Sequence, residues 1–167
     1  MATFALQQVS SKFARENAAR TLEKPIGLKF VQKFLSPKLY AALESACPDG
    51  KVFIWGAKPE REHQMVKMPP RNCLVLFRRG KIVYKRGVII ETTTNHTLAE
   101  NLWGFDVDGQ TWSLVYFMRT VSEVKLPAEK ANVLLGRSPK DNWLGLVAVP
   151  IKETEKVINF FKSQLDG

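Results

Sequence analysis

The rhythm of hydrophobic and polar positions changes near residue 50. Before it, apolar residues recur at helical spacing. Residues 4–22 (FALQQVSSKFARENAARTL) read as one helix, stopped by Pro25 and Gly27. A second helix is predicted from Ser36, a good N-cap, with Pro37 in the first helical position. The turn signal Pro48-Asp49-Gly50 ends it. After residue 50 the chain breaks into short runs of strand character. KVFIWGA (51–57) is the first and CLVLFRR (73–79) the second. Gly80 turns the second into KIVYKRGVIIE (81–91), which predicts a hairpin. Gly87 interrupts that third strand and marks a bulge or bend. HTLAENLW (96–103) suits one or two helical turns. WSLVYFMR (112–119), VSEVKLP (121–127) and LGLVAVP (144–150) are further strands. KETEKVINFFKSQL (152–165) closes as an amphipathic helix with Val157, Phe160, Phe161 and Leu165 along one side.

About six short strands with helices at both ends and between them imply an α+β fold, a small curved sheet or barrel. There is no regular strand–helix alternation, which argues against a doubly wound parallel sheet. A single domain is expected over 1–167: N-terminal helices in 1–50, a barrel core in 51–150 and a C-terminal helix in 151–167. Hydrophobic residues make up 45% of the chain, enough for a real core. No apolar run approaches the ~20 residues of a membrane span. The first residues lack the charged and apolar regions of a secretory signal. Cys47 and Cys73 stand alone, which predicts free thiols in a reducing cytoplasm.

Charge changes the picture. The formal net charge is +9, and it is clustered. Lys58, Arg61, Lys67, Arg71, Arg78, Arg79, Lys81, Lys85 and Arg86 fall in one stretch whose only acids are Glu60 and Glu62. Such a cluster favours nucleic acid or another anionic surface as partner, and no membrane.

Catalytic constellations are not legible. His63 and His96 share no metal-ligand spacing with each other or with the cysteines. LLGRSPKDNW lacks the second glycine and the lysine of a phosphate-binding loop. Asp106 and Asp108, with Glu91, are the candidates for a metal-dependent enzyme, but the two aspartates flank Gly109, where Asp suits a turn. The expectation is a non-enzymatic domain without metal or cofactor.

The aromatic residues carry more information. Trp55 ends a strand and precedes Gly56; Trp103 ends a short helix and precedes Gly104. Flat aromatic walls beside small residues suit an extruded base, because every base has a π face. Burial as core tryptophans at strand ends fits them equally. Trp112, Tyr116 and Phe117 read as core, and Trp143 as core or interface.

The order FIWGAKPE, then CLVLFRRGKIVYKRGVII, then LAENLWGFDVDGQTWSLVYFMRTVSEVKLP resembles the YTH/EVE branch of the PUA-like superfamily, over roughly residues 52–127. The resemblance includes the N-terminal DNA-binding domain of McrBC-type restriction proteins. It implies a curved, barrel-like sheet flanked by helices that reads a modified base in an aromatic cage. Carried across, Trp55 and Trp103 are the cage tryptophans and Gly56 and Ala57 supply backbone to the base edge; the family's third wall has no aligned counterpart, and Phe105 or Trp112 is the candidate for it. Lys58, Arg61, Lys67, Arg71, Arg78, Arg79 and Lys81 are expected to hold the phosphates. The polar residue that holds the base edge upstream of the first tryptophan is not identifiable. N6-methyladenine in DNA is the leading expectation, with RNA N6-methyladenine or DNA 5-methylcytosine as alternatives. The domain is expected to target a restriction complex whose further domains or subunits supply NTPase and nuclease activity. A protein-interaction module with a basic face is a further alternative.

Overall fold

A computed structural model describes residues 2–71, 73–151 and 159. Seven strands form one curved sheet in the order β2-β3-β6-β5-β4-β1-β7. In chain order these are β1 (Ala2–Gln8), β2 (Ile26–Gly27), β3 (Lys51–Ala57), β4 (Cys73–Arg79), β5 (Ile82–Thr94), β6 (Leu114–Pro127) and β7 (Val147–Ile151). The helices are α1 (Lys12–Thr21), α2 (Leu28–Val31), α3 (Pro37–Ala46), α4 (Glu62–Met65), α5 (His96–Trp103) and α6 (Ala128–Leu134). This is the α+β curved sheet that the sequence predicts.

Period-two alternation divides the core into layers. Trp55, Val75, Phe77, Ile89, Tyr116 and Met118 share one cluster, to which α1 adds Ala14 and Ala18. Val52 and Ile54 of β3 and Val115 and Phe117 of β6 lie on the opposite face and meet Leu28, Leu43, Leu98 and Trp103 of the helices. A third layer packs Phe4, Leu6, Leu76 and Val83 against Ala128 and Ala131 of α6 and against Trp143. Each inner strand is thus buried on both faces, which is why its runs are nearly continuous in apolar residues.

Three expectations are corrected. Residues 4–22 are not one helix. Ala2–Gln8 is a strand between β4 and β7, parallel to β4, and α1 begins at Lys12. Apolar residues at 4, 5 and 6 fit a doubly buried strand as well as a helix, and only pairing decides between them. Ser11 caps the real helix, its Oγ accepting from Ala14 N at 3.1 Å. The sheet is therefore not confined to 51–150. Residues 112–119 and 121–127 are not two strands but parts of one, β6, preceded by Trp112 and Ser113. The last strand starts at Val147, and 144–146 lie in the loop before it. Gly87 does sit at an irregularity, where the β5–β6 register shifts between Gly87 and Ile89. An added Cβ there would lie 2.6 Å from Met118 Sδ. The expected helix at 152–165 lies outside the described residues.

Candidate functional site

The two expected cage tryptophans are buried in the core. Trp55 is 0% exposed and Trp103 2%. Trp55 Nε1 donates to Gln7 Oε1 at 3.3 Å, and its ring meets Phe77 edge-on. Trp103 Nε1 donates to Thr21 Oγ1 at 3.1 Å. The two indoles lie 6.4 Å apart and are tilted 64° from one another. A base held between two walls needs near-parallel faces with an opening between them. This pair offers neither, which corrects the expected open sandwich.

Gly56 also has a packing use. A Cβ there would lie 2.7 Å from Trp103 Cζ3 and 2.8 Å from the Trp112 carbonyl oxygen. The missing side chain lets Trp103 pack on the β3 backbone rather than leaving an indole face open. Gly104 caps α5 in the left-handed region (φ 70°) with no atom near its absent Cβ, so backbone conformation accounts for it. Phe105 is 53% exposed and lies near His96, with ring centroids 6.3 Å apart.

Trp112 joins the buried cluster to the surface. Its ring is 4.8 Å from Trp55, 5.5 Å from Trp103 and 5.2 Å from Phe13, and it is half-buried. It lines a cleft of about 380 Å³ at the ends of β1 and β3. Gly56 and Ala57 line the same cleft, as do Gln7 and Gln8 from β1. The Trp55 indole holds the Gln7 side-chain oxygen, which fixes the amide and leaves its NH2 as a donor beside the cleft. Lys58 and Arg61 supply cations, and the loop 144–146 completes the lining.

Lys58 is not a free cation. Its Nζ is 3.1 Å from Asp106 Oδ2 and 3.4 Å from Asp108 Oδ2. The hydrogen bond to Asp106 raises its pKa above 10.5, against an opposing effect of burial. Burial disfavours the Asp106 charge, but the N–H groups of Gln110 and Asp108 and the Lys58 ammonium outweigh it and hold the carboxyl below 3.8. Asp106 Oδ1 accepts from Asp108 N at 2.9 Å and Gln110 N at 3.0 Å, the geometry of a side-chain-closed turn. The acidic pair thus closes a turn and holds a lysine. Among the described residues no group of three or more His, Cys, Asp and Glu converges as metal ligands.

The expected phosphate-binding cations fall into two sets. Arg78 donates to Gly80 O and Asp141 O, both at 2.7 Å, and lies over the Trp143 ring. Burial lowers its pKa, opposed by Asp141. Arg79 donates to Val9 O, Glu23 and the Tyr84 hydroxyl. In contrast, no side-chain hydrogen bond or ion pair among the described residues engages Arg61, Lys67, Arg71 or Lys81.

Sequence reasoning missed Gln7, and it placed Trp112 mainly in the core. A polar pair, Gln7-Gln8, at the end of an apolar strand was the available signal.

No protein-family model matches the chain, and no curated protein matches it in sequence. Among solved structures it is similar to the N-terminal domain of Thermococcus gammatolerans McrB bound to m5C DNA, with a TM-score of 0.70. The match covers 96% of this chain and 98% of that one, at 19% identity. No helix among the described residues is long and apolar enough to cross a membrane. The chain has the fold of a McrB N-terminal domain, the fold implied by its resemblance to the YTH/EVE branch.

Proposed function

We propose that this chain is a DNA-binding domain that takes a modified base into the cleft between the ends of β1 and β3. It acts by binding, not by chemistry on the base. The observation that carries the reading is the cleft itself: an aromatic face, a fixed amide and the Gly56–Ala57 segment lie beside cations in a protein of net charge +9. Trp112 is the stacking surface, in place of an open Trp55–Trp103 sandwich. Gln7 Nε2 and the backbone at Gly56 and Ala57 read the base edge. Arg61 and Lys67 hold the backbone of the nucleic acid, which positions the duplex without reading it.

For the base, 5-methylcytosine has better support than N6-methyladenine, because the structurally similar domain is one bound to m5C DNA. One buried methyl is worth about 0.8 kcal/mol, a roughly four-fold preference. Extruding the base costs a few kcal/mol. Phosphate contacts must supply the remainder, so binding weakens steeply with salt. In a restriction system such a domain would target NTPase and nuclease subunits to modified DNA.

The test is equilibrium binding to matched duplexes with a central cytosine, 5-methylcytosine or N6-methyladenine, and to matched RNA, at one salt concentration. The expected result is a preference for the 5-methylcytosine duplex. That preference disappears in Trp112→Ala and Gln7→Leu, while weak binding to the unmodified duplex persists. Tighter binding to N6-methyladenine reassigns the base, and tighter binding to RNA reassigns the nucleic acid. Equal binding to all four defeats base reading.

A further inference from the structure

The loop between α6 and β7 is held from several directions and yet presents one large apolar side chain to solvent. Trp143 is fully buried with φ 54°, a left-handed conformation that is a genuine outlier for so bulky a residue. Its Nε1 donates to Asn132 Oδ1 at 2.5 Å, and its backbone N donates to Asp141 Oδ1 at 2.9 Å. Gln8 Nε2 donates to the Asn142 carbonyl, and Arg78 donates to the Asp141 carbonyl. On the other side, Gly145 has φ 65°, and a Cβ there would lie 2.5 Å from Arg61 Nε. The guanidinium lies where a side chain would begin, and the positive φ favours glycine at this position.

Between these fixed points stands Leu144, which lines the cleft and is 74% exposed. Isolated exposed leucines are common and need no explanation. This one differs because strained backbone at Trp143 on one side and a left-handed glycine on the other hold it at the mouth of the cleft, beside Arg61. Strain of this kind persists only where surrounding structure enforces it, and it concentrates at ligand clamps.

We infer that Leu144 is a wedge: it enters the base stack of a duplex and occupies the gap left by the base that moves into the cleft. The inference rests on the base-reading function proposed above. Apolar side chains inserted between base steps unstack them and stabilise the distorted duplex. Arg61, packed against Gly145, would hold the phosphate next to the gap. The loop then couples both tasks, because the contact that places the cation also sets the leucine.

The experiment compares wild type, Leu144→Ala and Leu144→Phe on two modified duplexes, with the unmodified duplex as reference. One has 5-methylcytosine paired with guanine; the other has the same base in a mispair, where extrusion costs less. A 2-aminopurine beside the modified base reports unstacking. Leu144→Ala is expected to weaken binding to the paired duplex about ten-fold and to lower the unstacking signal, with less than about two-fold change on the mispaired duplex. Leu144→Phe is expected to retain both binding and signal. Equal losses on the two duplexes, or no loss on either, overturn the wedge while wild-type preference for the modified base leaves the reader intact. If wild type itself shows neither preference nor unstacking, the reader fails and the wedge with it. Leu144 is exposed, so an unchanged melting temperature verifies that the variants are folded.

Discussion

The connection from β3 to β4 and the turn from β4 to β5 are both rich in lysine and arginine, but they use their charge differently. At the β4–β5 turn, Arg78 and Arg79 have their guanidinium groups on backbone carbonyls and on aromatic rings. Both are half-buried. In the β3–β4 connection, Arg61, Lys67 and Arg71 have no side-chain partner among the described residues, and Lys67 and Arg71 are exposed. Lys58 lies between these cases, held by two aspartates at the edge of the cleft. Formal charge therefore overstates the surface available to phosphate. An arginine already donating to protein acceptors must give up those bonds before it can meet a nucleic acid.

This contrast can be broken most forcefully on the structural side. Trp143→Ala removes the ring beneath Arg78 and is expected to cost ~3–5 kcal/mol of stability, read by chemical denaturation. A loss below about 1 kcal/mol would mean that the turn is not built around that indole. Arg78→Ala comes next. It removes the Arg78 donor from the Gly80 and Asp141 carbonyls, of which Asp141 keeps Asn132 Nδ2, and is expected to cost about 1–3 kcal/mol. The slope of log affinity against log salt should stay unchanged.

The reverse pattern is expected in the other segment. Arg61→Ala and Lys67→Ala should each alter stability by less than about 0.5 kcal/mol. Each should flatten the salt slope by about one unit and weaken modified and unmodified duplexes alike. A selective loss on the modified duplex would move Arg61 from phosphate holding to base reading.

The smallest effect tests the intermediate case. The Asp106 carboxyl is held below its ordinary 3.8, so its contribution is fully present above 3.8 and is lost as pH falls through the lower folded value. The melting-temperature difference between wild type and Asp106→Asn should be flat near neutral pH and shrink in acid. A difference that persists through acid would show that the turn hydrogen bonds, not the charge, hold Lys58. At neutral pH the same variant, with Lys58 less restrained, should bind unmodified DNA slightly more tightly.

Much of the strand framework was legible in the residues. KVFIWGA, CLVLFRR and the Gly80 turn lie where the pattern puts them, because period-two burial and turn chemistry are local. The site was legible only in outline. Gly56, Ala57, Lys58 and Arg61 were all singled out from sequence, and all line one cleft. Their neighbours Gln7 and Leu144 come from opposite ends of the chain, and no local pattern relates them.

By itself the sequence determined the α+β class, the place of most strands, the position of the irregularity at Gly87 and the basic character of the chain. These follow from spacing, side-chain volume and charge, which are properties of neighbours in the chain. Only the tertiary structure decided that residues 2–8 form a strand, since its parallel pairing with β4 reaches across some seventy positions. It also decided which tryptophan meets solvent. Trp55, Trp103 and Trp112 are alike in composition and similar in local setting, and all three have Gly or a polar turn close by. Sheet curvature buries the first, α1 and the Gly56 backbone cover the second, and the third is left with its ring at the cleft.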